Sequence, residues 1–346
     1  MLQETRSQLE QPAGKAVYRL AGQLLATADA AARALEDPAR EKAVGEFRRA
    51  ILDLHDFLDL HREWLPVAGR VCRSLDDLAA RAGRQRNREV RFMLVRAERA
   101  TPALRHAAGV NLLLERLSGQ LARKRPRAVR RLLRAWRTLR PGLRRQLRRH
   151  RRRDGGVFRL VNLAAAREQL HRLDRRLARL ETRDSDGAVQ RAWATAGRLQ
   201  LLLAPFHASD ERVRDTLEEL GILRDALADY RDAHHFLARL GRDARKLCGT
   251  HAAAVIGAIA TSEDDGGAGC AHRPDPLPGL ISLARTVKGQ RARLWARFQS
   301  QYVAGRESLV IRIGDLLDAL EGRPGNAATE QAEVVSFTRY VRSGED

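Results

Sequence analysis

The sequence is poor in several residue types, and each shortage excludes a class of protein. Aromatic residues make up only 5% of the 346 positions, which argues against an all-β fold because strands are enriched in such side chains. The three cysteines, Cys72, Cys248 and Cys270, are far apart and odd in number, so we expect no disulfide framework and a reducing, cytoplasmic location. No stretch approaches the roughly 18 apolar residues of a membrane span. The first residues lack the apolar core of a signal peptide.

Acidic residues are also scarce relative to basic ones. The chain has 64 Lys and Arg against 43 Asp and Glu, a net charge of +21, and only five of its basic residues are Lys. A GC-rich genome would explain the preference for Arg over Lys, but not the surplus of base over acid. Because such a surplus repels itself, it favours an anionic partner: nucleic acid, polyphosphate or an anionic membrane surface.

Leu, Ala, Arg and Glu are abundant and recur at helical spacing, which predicts an all-α protein. Apolar residues within 44–58 stand at steps of 3, 4, 3 and 4, and the same steps recur 145 residues later. The two sets are Val44, Phe47, Ile51, Leu54 and Leu58, then Val189, Ala192, Ala196, Leu199 and Leu203. Residues 119–127 also resemble 289–297. We therefore interpret the chain as two four-helix repeats, 13–153 and 157–322, followed by a weakly patterned tail at 323–346.

The most basic stretch is RKRPRAVRRLLRAWRTLRPGLRRQLRRHRRR (123–153), in which sixteen of 31 residues are Lys or Arg and none is acidic. Its apolar stripe, which includes Leu132 and Trp136, predicts packed helix rather than a disordered arm. Pro141-Gly142 is expected to divide the stretch into two helices. Arginines follow one face of the first of these two helices at steps of 4, 3, 4 and 3, over about 20 Å. They are Arg123, Arg127, Arg130, Arg134 and Arg137, and Arg131 lies beside this face.

That face is either an anion-binding surface or only the solvated side of a helix in an Arg-rich chain. Like charges four residues apart on a helix cost a few tenths of a kcal/mol per pair. No acidic residue of the stretch relieves this repulsion. The repulsion weighs towards an anion-binding surface.

Three segments resemble the CHAD family, the conserved-histidine α-helical domain. They are AVGEFRRAILDLHDFL (43–58), LLERLSGQLARKRPRAVRRLL (113–133) and LEELGILRDALADYRDAHHFLARL (217–240). The resemblance spans most of residues 13–322. It implies an all-α domain of two pseudo-symmetric four-helix repeats around a central basic channel. It also implies non-catalytic binding of inorganic polyphosphate, with no cofactor, and a place at polyphosphate granules in the cytoplasm.

The chain departs from the family at the signature helix, where His and Arg are expected at relative positions 1, 4, 8 and 11. The first repeat has Gly45, Arg48, Leu52 and His55 there, and the second has Gln190, Trp193, Gly197 and Gln200. Both name-giving histidines are absent. The candidate phosphate ligands are therefore Arg48, His55, Arg123, Arg127, Arg130, Arg131, Arg134, Arg137, Arg191, Arg198, Lys288, Arg293 and Arg297.

Two other functions stay open at this point: a general polyanion or nucleic-acid binder, and a degenerate protein-interaction scaffold. Stacking of bases on Trp136 or Trp295 would favour the nucleic acid, although helical spacing places Trp136 with the core. His234 and His235 are expected to have a structural role. The pair Cys270 and His272 is a weak metal motif without a second pair nearby. No catalytic arrangement is apparent, so we expect no enzyme.

Overall fold

The computed structural model describes residues 6–65, 67, 69–149, 156–182, 185–208, 210–261 and 274–322. In those ranges the chain is helical and contains no strand, only an isolated bridge between Pro12 and Val157. The predicted all-α class is confirmed. Cys270, His272 and the tail at 323–346 lie outside the described residues.

Ten α-helices occupy the described ranges. They are α1 (Arg6–Leu9), α2 (Ala13–Ala34), α3 (Ala43–Leu60), α4 (Gly69–Arg99), α5 (Ala108–Arg149), α6 (Phe158–Thr182), α7 (Asp186–Leu203), α8 (Glu211–Thr261), α9 (Leu277–Phe298) and α10 (Arg306–Glu321). A 3₁₀ turn at Ala204–Phe206 follows α7, and a π turn at Gln299–Val303 follows α9. In the part of the chain that the structure describes, no helix combines the length and hydropathy needed to cross a bilayer.

The two apolar stripes that suggested a repeat are both buried. Every member of the stripe on α3 is at most 1% exposed, and every member of its counterpart on α7 is at 0%. Periodic apolar spacing thus gave the correct buried faces, because residues three and four apart share one side of a helix. The duplication itself and the central channel stay predictions.

The chain divides into two compact units. Unit 1 comprises residues 1–17, 152–223 and 300–346, and unit 2 comprises 18–151 and 224–299. In unit 1, α6 packs against α7 and α10. Asn162 on α6 donates a hydrogen bond to the carbonyl oxygen of Leu202, and Arg167 forms ion pairs with Asp318 and Glu321. These polar contacts connect helices that the apolar core already holds together.

Unit 2 is built from neighbouring helix pairs: α3 with α4, α4 with α5, and α5 with α9. The starts of α5 and α9 meet at Gly109, where the Pro276 carbonyl leaves no room for a Cβ atom. Glycine is required at such a close backbone approach. An apolar cluster joins these helices to α4 and α8, and it includes Val95, Leu113, Phe236 and Leu283.

The expected helix break at Pro141-Gly142 was wrong. Helix α5 runs through both Pro126 and Pro141 without interruption. Each proline removes one hydrogen bond to the carbonyl four residues earlier. Both prolines are exposed, as are Ala122 and Arg137, whose carbonyls lose that bond, so water can solvate the freed groups. Buried Trp136 and Leu143, on either side of Pro141, fix the helix to the core across it.

Candidate anion-binding surface

The arginine face predicted on α5 is exposed. Helix α5 buries Leu132 and Trp136, each 2% exposed, and the Trp136 indole nitrogen donates a 3.0 Å hydrogen bond to Asp29 on α2. Trp136 also meets Phe47 of α3 edge to face. With that side fixed inwards, five arginines point to solvent: Arg123, Arg127, Arg130, Arg131 and Arg134.

These five arginines, which we call the α5 arginine face, have no acidic partner among the described residues. Their neighbours nearer the end of the helix differ. Arg137 forms a 2.7 Å ion pair with Glu36, and Arg140 forms a 2.8 Å ion pair with Asp29. The Arg137 side chain is still 70% exposed, and pairs of that kind contribute little free energy. Arg137 therefore flanks the face as a cation that can change partners.

Arg125 lies on the same helix but has a structural role. Its guanidinium donates to the backbone oxygens of Pro38 and Arg40 and to the Glu89 carboxylate. It fixes the connection between α2 and α3 against α5. The spacing in the sequence also leaves Arg125 off the predicted arginine face, and the packing of the helix gives it these partners.

Helix α9 supplies three more candidates of unit 2. Lys288, Arg293 and Arg297 are all exposed on it. The first turns of α9 pack beside those of α5, as Leu280 and Leu283 share an apolar cluster with Val110 and Leu113. Further exposed cations thus lie on the helix that neighbours α5.

Arg48 has different surroundings, because it is half-buried on α3 among other arginines. Burial, followed by the charges of Arg231 and Arg86, lowers the pKa of Arg48 to about 10. Arg86 forms two hydrogen bonds to the Asp232 carboxylate, at 3.0 and 2.7 Å. Arg48 lies against Gly83, where a Cβ atom would be 3.1 Å from its Nε. This group is a half-buried cluster of arginines with Asp232 as a counter-charge, rather than an open cation surface.

The candidates predicted from the sequence do not include three arginines whose charges act on Arg48, namely Arg86, Arg224 and Arg231. Arg224 and Arg231 are only 7% and 6% exposed. A signal was present: the offset of 145 residues that relates the apolar stripes also aligns Arg86 with Arg231. Acidic side chains of α3 and α8, Asp53 and Asp232, accompany these arginines, as expected when charge is buried.

His55 lies among carboxylates. Its ring nitrogens are 3.5 Å from Asp56 and 3.4 Å from Asp76. The hydrogen bond to Asp56 is the largest cause of its raised pKa, and Asp76 adds to it. Because a phosphate would be repelled by these carboxylates, we do not include His55 in the proposed surface.

The last two candidates, Arg191 and Arg198, belong to unit 1. They lie on α7, and α6 contributes Arg172 and Arg176 nearby. Burial lowers the pKa of Arg176, and the charges of Arg198 and Arg172 lower it further. Arg176 donates to the Arg191 carbonyl at 2.8 Å and to the Thr195 hydroxyl. Unit 1 therefore has its own group of arginines.

The histidines of α8 have structural contacts. The His234 ring lies 3.2 Å from an Arg291 nitrogen, and Arg291 stands over the Tyr230 ring. Trp295 packs against Tyr230 and Phe298. Across the described ranges, no group of three His, Cys, Asp or Glu side chains could hold a metal ion.

Comparison with solved structures assigns the class of fold. The chain is similar to the crystal structure of the CHAD domain from the plant Ricinus communis, with a TM-score of 0.63 and 15% sequence identity. The match covers 90% of this chain and 94% of the plant domain. No protein-family model matches the sequence, and no curated protein matches it either.

The protein is thus an all-α helical protein with an exposed arginine surface. Its fold is that of a CHAD domain. The resemblance noted at 43–58, 113–133 and 217–240 is confirmed for the fold.

Proposed function

We propose that the protein binds inorganic polyphosphate without catalysing a reaction, and that the α5 arginine face is the principal contact. The observation that carries the proposal is the run of five exposed arginines without an acidic partner in the described part of the chain. The CHAD fold supports the choice of ligand. Polyphosphate binding would place the protein at polyphosphate granules in the cytoplasm.

The geometry of the face suits a linear polyanion. Its arginines extend over about 16 Å of helix between Arg123 and Arg134. Each guanidinium can donate two hydrogen bonds to one phosphate and stays charged. Binding releases condensed counterions, which is the main source of affinity for a polyanion. The helix holds the cations in place beforehand, so little backbone entropy is lost on binding.

The same observations favour polyphosphate over nucleic acid. Sequence-tolerant binding of single strands uses exposed aromatic rings on which bases stack. Trp136, the aromatic residue within the basic segment, is 2% exposed and donates to Asp29. The surface thus offers charge without a stacking platform, which fits a ligand that consists of phosphate alone.

Charge reversal of the face tests the proposal. We expect Arg127→Glu, Arg130→Glu and Arg134→Glu together to weaken binding of long-chain polyphosphate at least about tenfold near 0.15 M salt. The dependence of affinity on salt is expected to become shallower, because fewer counterions are released. Isothermal titration and filter binding measure both quantities.

The matched control reverses Arg70, Arg73 and Arg81 on α4, which are also exposed. It changes the net charge equally, so it separates a defined surface from a general effect of charge. Equal loss in both triple variants, or no binding by the native chain, contradicts the proposal. Displacement of polyphosphate by RNA at equal phosphate concentration would identify a general polyanion binder. No binding of either polymer would favour an interaction scaffold.

A further inference from the structure

A cleft lies between α2 and α5 of unit 2, next to the α5 arginine face. Its volume is about 390 Å³, within the range of roughly 300–1,000 Å³ that is usual for small-ligand sites. Leu133 and Trp136 are among its apolar lining residues. Its charged lining residues come from α5 and from α2 with the turn that follows it: Asp29, Arg33, Glu36, Arg137, Arg140 and Arg144.

The two carboxylates of the cleft already have partners inside it. Asp29 accepts a 3.0 Å hydrogen bond from the Trp136 indole nitrogen and lies 2.8 Å from Nε of Arg140. Glu36 forms a 2.7 Å ion pair with Arg137. Each carboxylate is therefore matched by one guanidinium, and neither leaves a net negative charge in the cleft.

The other two arginines of the cleft, Arg33 and Arg144, are exposed. Neither forms an ion pair with an acidic residue in the described ranges. The cleft therefore has two cations in excess of its carboxylates. The surroundings of His55 are the reverse, because two carboxylates there flank a single imidazole. The cleft can attract an anion, whereas the carboxylates around His55 repel one.

The cleft also continues the line of the α5 arginine face. Arg137 follows Arg134 by three residues, and Arg144 follows Arg137 by seven, so the three lie along one side of the helix. Arg137 is 70% exposed and lines the cleft. A phosphate chain that lies along the face can therefore continue past Arg137 into the cleft.

We infer that the cleft binds a terminal phosphate group, which is either the end of a polyphosphate chain or part of a free short phosphate chain. The first of these sources rests on the proposed function. An internal phosphate of the polymer carries one negative charge. A terminal phosphate has a second ionisable oxygen, as a phosphate ester does, and such a group carries a charge of about −1.5 to −2 at pH 7.

The distribution of the arginines fits this difference in charge. Along the α5 arginine face the cations follow one another about every 5 Å of helix axis, which suits internal phosphates with one charge each. In the cleft, α2 and α5 together supply Arg33 and Arg144 as cations in excess, which suits a doubly charged end. Each guanidinium can donate two hydrogen bonds to one phosphate.

Blocking the chain ends tests the inference. The full-length protein is titrated calorimetrically with polyphosphate of one defined length, either with free ends or with both ends converted to phosphoramidates, which carry a single charge. We expect the blocked polymer to bind about tenfold more weakly. Arg33→Gln with Arg144→Gln is expected to abolish this preference for free ends. Arg70→Gln with Arg73→Gln on α4 is the matched control, because both residues are exposed and lie outside the cleft, and it is expected to keep the preference.

Titration with linear tripolyphosphate separates the two sources of the terminal phosphate. Binding of tripolyphosphate that is lost in the Arg33 and Arg144 double variant, without binding of the long polymer, would assign the cleft to a free short phosphate. That result would keep the inference and overturn the proposed function. Equal affinity of the native chain for free and blocked ends, with tripolyphosphate binding unchanged in the double variant, would overturn the inference and leave the proposed function intact. A native chain that binds neither phosphate overturns both.

Discussion

At the scale of single residues, burial rather than residue type decides what a charged group does. Arg134 and Arg231 are the same residue type, yet one is exposed on α5 and the other is 6% exposed near Arg48. An exposed guanidinium can exchange water for phosphate at little cost. A buried one requires carboxylates around it, since an uncompensated charge in the interior is very unfavourable.

Asp53 in the middle of α3 and His61 directly after its end have pKa values shifted in opposite directions. Burial raises the pKa of Asp53 to about 6, against the opposing charges of Arg224 and Arg49. Burial lowers the pKa of His61 to about 4. His61 is 1% exposed and packs against the Phe57 ring. Both shifts disfavour the charged form, as desolvation does.

The two groups therefore give opposite pH dependences of stability. The contribution of Asp53 to the free energy of unfolding is complete below the ordinary pKa of its carboxyl, 3.8, and is lost as the pH rises through about 6. The contribution of His61 to the free energy of unfolding is complete above the ordinary pKa of its imidazole, 6.5, and is lost as the pH falls through about 4. Between pH 4 and 6 the two slopes, each up to about 1.4 kcal/mol per pH unit, oppose one another.

Single substitutions separate the effects of Asp53 and His61 on how the free energy of unfolding changes with pH. Relative to the native chain, Asp53→Asn is expected to gain stability as the pH rises from 4 to 6, because only the His61 contribution remains. His61→Gln is expected to lose stability over the same interval. Urea unfolding at several pH values measures both differences. Free energies of unfolding that run parallel to the native curve in both variants would contradict this assignment.

At the scale of elements, α5 combines a buried face, an exposed arginine face and two prolines in one helix. The helix survives Pro126 and Pro141 because burial of its apolar face outweighs two missing hydrogen bonds. Its exposed side is then free to carry charge. The cost of the like charges along that side is small, a few tenths of a kcal/mol per pair, and a bound polyanion would remove it.

Replacement of Pro141 measures how much this proline destabilises α5. We expect Pro141→Ala to stabilise the chain by about 1–2 kcal/mol, because alanine restores the missing hydrogen bond and is the better helix former. Thermal unfolding measures the gain. Polyphosphate affinity is expected to stay unchanged, since Arg123 and Arg134 lie ahead of the proline. Destabilisation would show that the local helix geometry depends on the proline ring.

At the scale of the whole molecule, the net charge of +21 governs association. It draws anions towards the chain and keeps copies of the chain apart. A polyanion that neutralises the arginines would also reduce the repulsion between copies.

The sequence by itself determined the helical class and the buried stripes of α3 and α7. Apolar spacing is a property of the local chain, and it fixes which side of a helix avoids water. The sequence also located the arginines of α5 and their direction away from Leu132 and Trp136. The resemblance to the CHAD family, noted from three short segments, held for the fold.

Only the tertiary structure decided which charges are available. It buried Arg231 and Arg224, surrounded His55 with Asp56 and Asp76, and left the α5 arginine face without acidic partners in the described part of the chain. It also kept α5 continuous through Pro141. The physical reason is that desolvation and ion pairing depend on which distant segments pack together, and helical periodicity carries no information about those contacts.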